Sequence, residues 1–110
     1  MASNADPQTV ALIRQLAANG QFTFISNQAQ SDMMAHNVKL TDVADAIVDW
    51  IDAGERVKET VIHTIPGRTG DPAYEMKPRI NGVIWYLKVA IDDRGGSDEG
   101  LALLSSHPDH

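Results

Sequence analysis

The chain has 110 residues, 43% of them hydrophobic, which is enough for one ordinary core and predicts a single domain over residues 1–110. It contains no cysteine, which excludes a disulfide framework and thiol catalysis, and it has neither an apolar run of membrane-spanning length nor a leader-like N-terminus, so a cytoplasmic protein without membrane contact is expected. The formal net charge of -6 argues against indiscriminate nucleic-acid binding, yet seven of the nine Lys and Arg residues fall within residues 55–94.

Asp6 before Pro7 marks a helix start, a capping carboxylate followed by a residue whose fixed φ suits the first turn, and Val10, Ile13, Leu16 and Ala17 supply an apolar stripe. Asn19-Gly20 ends that helix. Gln21 to Ile25 alternates Phe22 and Phe24 with polar neighbours and reads as a short strand. Ser26 is set to cap a second helix through about His36, with Met33 and Met34 as its apolar content. Thr41 is read as the cap of a third helix, because Asp42 and Asp45 suit its positive end and Val43, Ile47, Trp50 and Ile51 share one face before Gly54 stops it.

Val57 to Ile65 predicts a strand with an ambiguous buried side, either Lys58, Thr60, Ile62 and Thr64 or Val57, Glu59, Val61, His63 and Ile65. Residues 66–72, from Pro66 through Arg68 to Pro72, form a Gly/Pro-dense loop of the kind that carries binding residues on a rigid sheet. After a hairpin, Asp92 to Gly100 reads as a polar turn, Leu101 to Ser106 as a last strand antiparallel to the one before, and His107 to His110 as a closing tail. Helices precede a meander of strands, so the class is α+β, with N-terminal helices packed on a C-terminal antiparallel β-sheet.

The hairpin, Tyr74 to Leu87, is the richest segment. Asn81-Gly82 suits a two-residue type I′ turn, which needs positive φ at both positions. With that turn, Ile80 lies opposite Val83, Arg79 opposite Ile84, Lys77 opposite Tyr86 and Glu75 opposite Lys88. One face then carries Glu75, Lys77, Arg79, Tyr86 and Lys88. The other carries Tyr74, Met76, Pro78, Ile80, Val83, Trp85, Leu87 and Val89 and is core-facing by period-2 logic.

Four collinear segments resemble the MqsR family of toxin ribonucleases, relatives of the RelE-like microbial RNases from type II toxin–antitoxin modules. They are Ile13 to Leu16 with the Asn19-Gly20-Gln21 exit, Val57-Lys58-Glu59-Thr60, Lys77-Pro78-Arg79 followed by Tyr86-Leu87-Lys88, and Leu103 to His107. The chain departs from the family pattern in being acidic and in having His107 where the family ends its last strand with lysine. The resemblance implies a RelE/MqsR-like fold and an endoribonuclease, an mRNA interferase working without cofactor or metal. It also implies RNA as substrate, a cognate antitoxin as partner, and catalytic weight at Lys58, Tyr86 and His107.

RNA cleavage by the ribose 2′-OH needs a base, cations for the phosphorane and an acid for the departing 5′-oxygen. Lys77 and Arg79 are suited to hold phosphate, with Lys88 nearby, Tyr86 to orient the 2′-OH or stack on a base, Lys88 or Glu75 to act as base, and His107 to donate the proton, imidazole being the usual carrier near neutral pH. Plainer readings stand beside these. Exposed strand cations are ordinarily solvated, Tyr86 beside Lys77 is an ordinary cross-strand pair, and His107 belongs to a terminal tail. His36 and His63 lack an HExxH setting, no G-x-S-x-G elbow or Walker A loop is present, and Trp50 and Trp85 read as core. The alternative function is a non-catalytic module whose basic face docks RNA or an acidic protein segment.

Overall fold

The computed structural model describes residues 3–63, 65–93 and 99–109, so Thr64, most of the expected polar turn and His110 lie outside the described residues. The chain order is β1 (Ser3–Asn4), α1 (Pro7–Ala18), β2 (Phe22–Ile25), α2 (Asn27–Ala35), α3 (Leu40–Asp52), β3 (Lys58–Val61), β4 (Pro72–Met76), β5 (Arg79–Ile80), β6 (Val83–Asp93) and β7 (Glu99–Pro108). The result is an α+β fold with the strand order β1-β3-β4-β6-β7-β2 and β5 paired on β6. Strands β3 to β7 pair antiparallel as expected, and β2 adds one parallel pair against β7, which makes the whole sheet mixed.

Local signals account for the helices. Asp6 caps α1 by accepting from the backbone N–H groups of Gln8 at 2.9 Å and Thr9 at 3.0 Å. Ser26 caps α2 by accepting from Ala29 N–H at 3.1 Å. The start of α3 corrects the sequence reading: the helix begins at Leu40, and its end is closed by Asp42, whose carboxylate accepts from Lys39 N–H at 2.9 Å. Thr41 is therefore inside the helix. A side chain in the first turn reaching back to the N–H of the residue before the helix fixes the start from the other side, through a donor that a preceding cap does not take. Arg14 of α1 and Asp52 of α3 tie the two helices with a bidentate pair at 2.6 and 2.9 Å.

All three helices cover one face of the sheet. The core holds Ile13, Leu16, Met33, Val43 and Ile47 from the helices against Met76, Trp85, Leu87, Val89, Leu101 and Leu103 from the strands. The predicted core side of the hairpin is buried except at Val83, which lies beside the turn and is exposed. The ambiguity at β3 resolves into both faces: Val57 joins the main core, while Ile62 joins a small cluster with Ala73, Ala90 and Ala102 on the opposite face. Strand β3 stops at Val61, earlier than its alternation predicts, because the chain turns back at 65–71. Arg68 in that loop pairs with Asp71 at 3.2 Å and donates to the Ile91 carbonyl at 3.3 Å, so the loop is fastened to the sheet.

Strand β7 extends from Glu99 to Pro108, which corrects the reading of His107 as tail. Its pairing with β6 shifts by one residue: Val89 faces Leu103, whereas Lys88 faces Ser105. Leu104 is the extra residue of a bulge. Leu101 and Leu103 point into the core, and without the extra residue strict alternation would send Ser105 and His107 there too. The bulge reverses the phase, so that Ser106 is buried opposite Leu87 and His107 stands opposite Tyr86 on the open face. Ser26 holds the bulge, its hydroxyl donating to the Leu104 carbonyl at 2.9 Å while its N–H donates to the Leu103 carbonyl at 3.0 Å. Further along, Gly100 sits opposite Asp92, and a Cβ there would collide with the Thr23 methyl and approach the Gln21 carbonyl to 3.0 Å. The missing side chain lets the Thr23 hydroxyl donate to the Asp92 carboxylate at 2.7 Å.

Two serines beside the bulge differ in sign. Ser26 serves a helix end and a strand carbonyl at once, whereas the Ser106 hydroxyl is buried without a hydrogen-bond partner among the described residues. In urea denaturation, Ser26→Ala is expected to lose about 1–2 kcal/mol. Ser106→Ala is expected to be neutral or stabilising, since it removes an unsatisfied hydroxyl of nearly the same volume. A large loss in the second variant would contradict this account of the strand's phase.

Candidate active site

The turn at Asn81 and Gly82 has φ of 52° and 81°, as type I′ requires, and the register it sets is kept across the break at Lys77 and Pro78 to Glu75 opposite Lys88 and Tyr74 opposite Val89. Strand β3 adds Lys58 opposite Glu75, and β7 adds His107 opposite Tyr86 and Ser105 opposite Lys88. Lys58, Glu75, Lys77, Tyr86, Lys88 and His107 therefore share the face that the helices leave uncovered.

Glu75 is the hub of this face. Its carboxylate accepts a short hydrogen bond from the Tyr86 hydroxyl and lies 3.9 Å from the Lys58 ammonium. Glu75 and Lys88 are opposite in register, as the turn predicts, but the carboxylate turns to Tyr86 and Lys58, and among the described residues Lys88 forms no ion pair. The Tyr86 and His107 rings lie with centroids 5.2 Å apart and planes tilted by 30°, and His107 Nδ1 is 2.9 Å from the Pro108 carbonyl. Lys77 pairs with Asp109 at 3.6 Å, and Asp109 N–H continues the strand by donating to the Ile84 carbonyl at 2.8 Å.

Burial, then the hydrogen bond to Glu75 with that carboxylate's charge, then the charge of Asp109, push the Tyr86 phenol well above its ordinary range. Tyr86 is thus a neutral donor at physiological pH and cannot act as a base there. The Tyr74 phenol is also raised, chiefly by burial and secondarily by the charges of Glu59 and Asp6.

Of the residues that the sequence nominated, the structure brings together Lys58, Lys77, Tyr86, Lys88 and His107. Arg79 is on the same face but stands apart at the hairpin end, where its guanidinium donates to the Gly82 carbonyl at 3.4 Å and lines a separate cleft beside Asp49. Two contributors escaped the nomination. Asp109 lay in a presumed tail, and Trp50, read as core, is partly exposed and lines the cleft of about 450 Å³ that opens over Lys58, Tyr86 and the base candidate Glu75. Its indole N–H donates to the Arg56 carbonyl at 3.0 Å, a contact with no sequence signature. His36 packs edge-on against Trp85 at 5.6 Å, away from this face. Among the described residues, no group of three or more His, Asp or Glu side chains is placed to hold a metal ion.

No family model, curated protein or solved structure matches the chain.

The raised phenols carry a sign. A group whose pKa is raised by folding adds stability that is complete below its unfolded value near 10 and is lost as pH rises through the folded value. Both tyrosines of the chain should therefore be less ionised at pH 10 in the folded protein than in denaturant, read as weaker phenolate absorbance, with Tyr86 the more resistant of the two. Tyr86→Phe should lower stability by about 1–2 kcal/mol, since Glu75 would lose a hydrogen bond to its charged group. Phenolate absorbance from native Tyr74→Phe protein rising near pH 10 would contradict the placement of Tyr86.

Proposed function

We propose that the chain is an endoribonuclease toxin of RelE/MqsR-like fold that cleaves mRNA without metal and is neutralised by a cognate antitoxin. The observation that carries the enzymatic part is the contiguous row Lys58, Glu75, Tyr86 and His107, flanked by Lys77 and Lys88, on the open face beside a cleft. The toxin and antitoxin assignment rests on the family resemblance alone.

In this reading Lys77 and Lys88 hold the scissile phosphate and neutralise charge as the phosphorane forms. Glu75 takes the proton of the 2′-OH, which attacks phosphorus. The bond from phosphorus to the 5′-oxygen breaks, and His107 supplies the proton that oxygen needs, leaving a 2′,3′-cyclic phosphate and a 5′-OH. Tyr86, kept neutral, orients Glu75 through its hydroxyl and presents its ring beside the imidazole. Lys58 fixes the other carboxylate oxygen and limits the charge that would build up beside the RNA.

A second reading, a module that docks RNA or an acidic segment without cutting it, is favoured by one feature. His107 stands where the family pattern ends its last strand with lysine, so the catalytic set that the resemblance implies is not complete in this chain.

The test is cleavage of a long unstructured RNA by purified protein in EDTA. The wild type is expected to release 5′-OH ends, and His107→Ala and Glu75→Gln each to slow cutting by roughly 10²–10⁴-fold while circular dichroism is unchanged. RNA bound but left intact by the wild type would favour the docking module, and RNA neither bound nor cut would remove both readings.

A further inference from the structure

Two clefts meet at Trp50. The one over Lys58, Glu75 and Tyr86 adjoins a second of about 510 Å³, and Trp50 and Lys77 line both. The second cleft is walled by the side chains of Ile84 and Arg79 from the hairpin and is rimmed by Asp49 and Glu55. Ile84 is a large apolar residue left 42% exposed at the hairpin end of the charged row. The Trp50 indole is anchored through its N–H to the Arg56 carbonyl, so the wall it makes is stiff.

The chemistry of these walls is mixed in a particular way. An aromatic and an aliphatic surface suit the faces of a flat ring, Lys77 and Arg79 suit anionic oxygen, and two carboxylates can only accept hydrogen bonds. An acidic peptide would be repelled by the rim. A purely apolar ligand would leave four charged groups without purpose. A nucleotide fits each part.

We infer that the second cleft is a nucleobase subsite, one step along the strand from the scissile phosphate. The base lies against Trp50 and Ile84, its own phosphate is held by Arg79 while Lys77, which lines both clefts, stays on the scissile phosphate, and the base edge faces Asp49 and Glu55. The rim selects bases that present an exocyclic amino group there, adenine, cytosine and guanine, over uracil, whose carbonyl oxygen at the same place is repelled by carboxylate. The inference rests on the RNA reading and names the specificity of that site.

The experiment measures fluorescence anisotropy of labelled 2′-O-methyl 12-mers of A, C and U, which cannot be cut by 2′-OH attack. Wild-type protein is expected to bind the A and C strands about tenfold more tightly than U, the size of one or two charge-assisted hydrogen bonds partly offset by solvent. The double variant Asp49→Asn with Glu55→Gln, both exposed positions, should keep the wild-type melting curve and lose the preference for A and C over U. Ile84→Ala should weaken all three strands by a few-fold through lost stacking area. Equal wild-type affinities for A, C and U, or a preference unchanged in the double variant, would overturn the subsite while leaving RNA binding intact. No binding of any strand would overturn the RNA reading and the subsite together.

Discussion

The two positive φ angles at Asn81 and Gly82 set the phase of the open face. A two-residue type I′ turn admits one register, and that register decides which of Glu75, Lys77, Tyr86 and Lys88 face solvent and which of Met76, Trp85 and Leu87 go under the helices. A slip of one residue would exchange the two sets. The cost of burying lysine and glutamate beneath α1 and α3 makes such a slip prohibitive, so turn chemistry and core burial enforce the same answer from opposite ends.

Electrostatics on that face is local rather than global. The body is acidic, and the cations that the sequence concentrates in residues 55–94 do not form an unopposed basic surface. Lys58 is met by Glu75 and Lys77 by Asp109, each at the outer limit of ion-pair distance. Such exposed pairs contribute little to stability, on the order of 0–1 kcal/mol each. Their weight lies in restraining charge and in holding Glu75 against the Tyr86 hydroxyl, where a neutral phenol donates to a carboxylate.

Much of this was legible in the residues, and the failures have physical causes. Caps at Asp6 and Ser26, the hairpin register and the buried side of the ribbon follow from short-range rules, because the groups involved are neighbours in sequence or fixed by a two-residue turn. The helix boundary at Thr41 was misread because the start is marked from inside the first turn, by Asp42 accepting from Lys39 N–H, and not by a capping side chain ahead of it. Trp50 looked like core by helical periodicity, yet its place in the last turn of α3 brings it to the sheet's margin, where one side packs and the other lines a cleft. His107 was the hardest case. Its position depends on an extra residue in β7 held by a serine 78 positions earlier, a long-range contact that no local pattern encodes.

That extra residue makes the count of amino acids in the final strand as consequential as their identity. Were Leu104 simply deleted, every side chain after it would change sides: the imidazole would be driven beneath the helices and Ser106 would emerge into water. A frame so dependent on parity tolerates substitutions at many points of β7 far better than it tolerates the loss or gain of a single link.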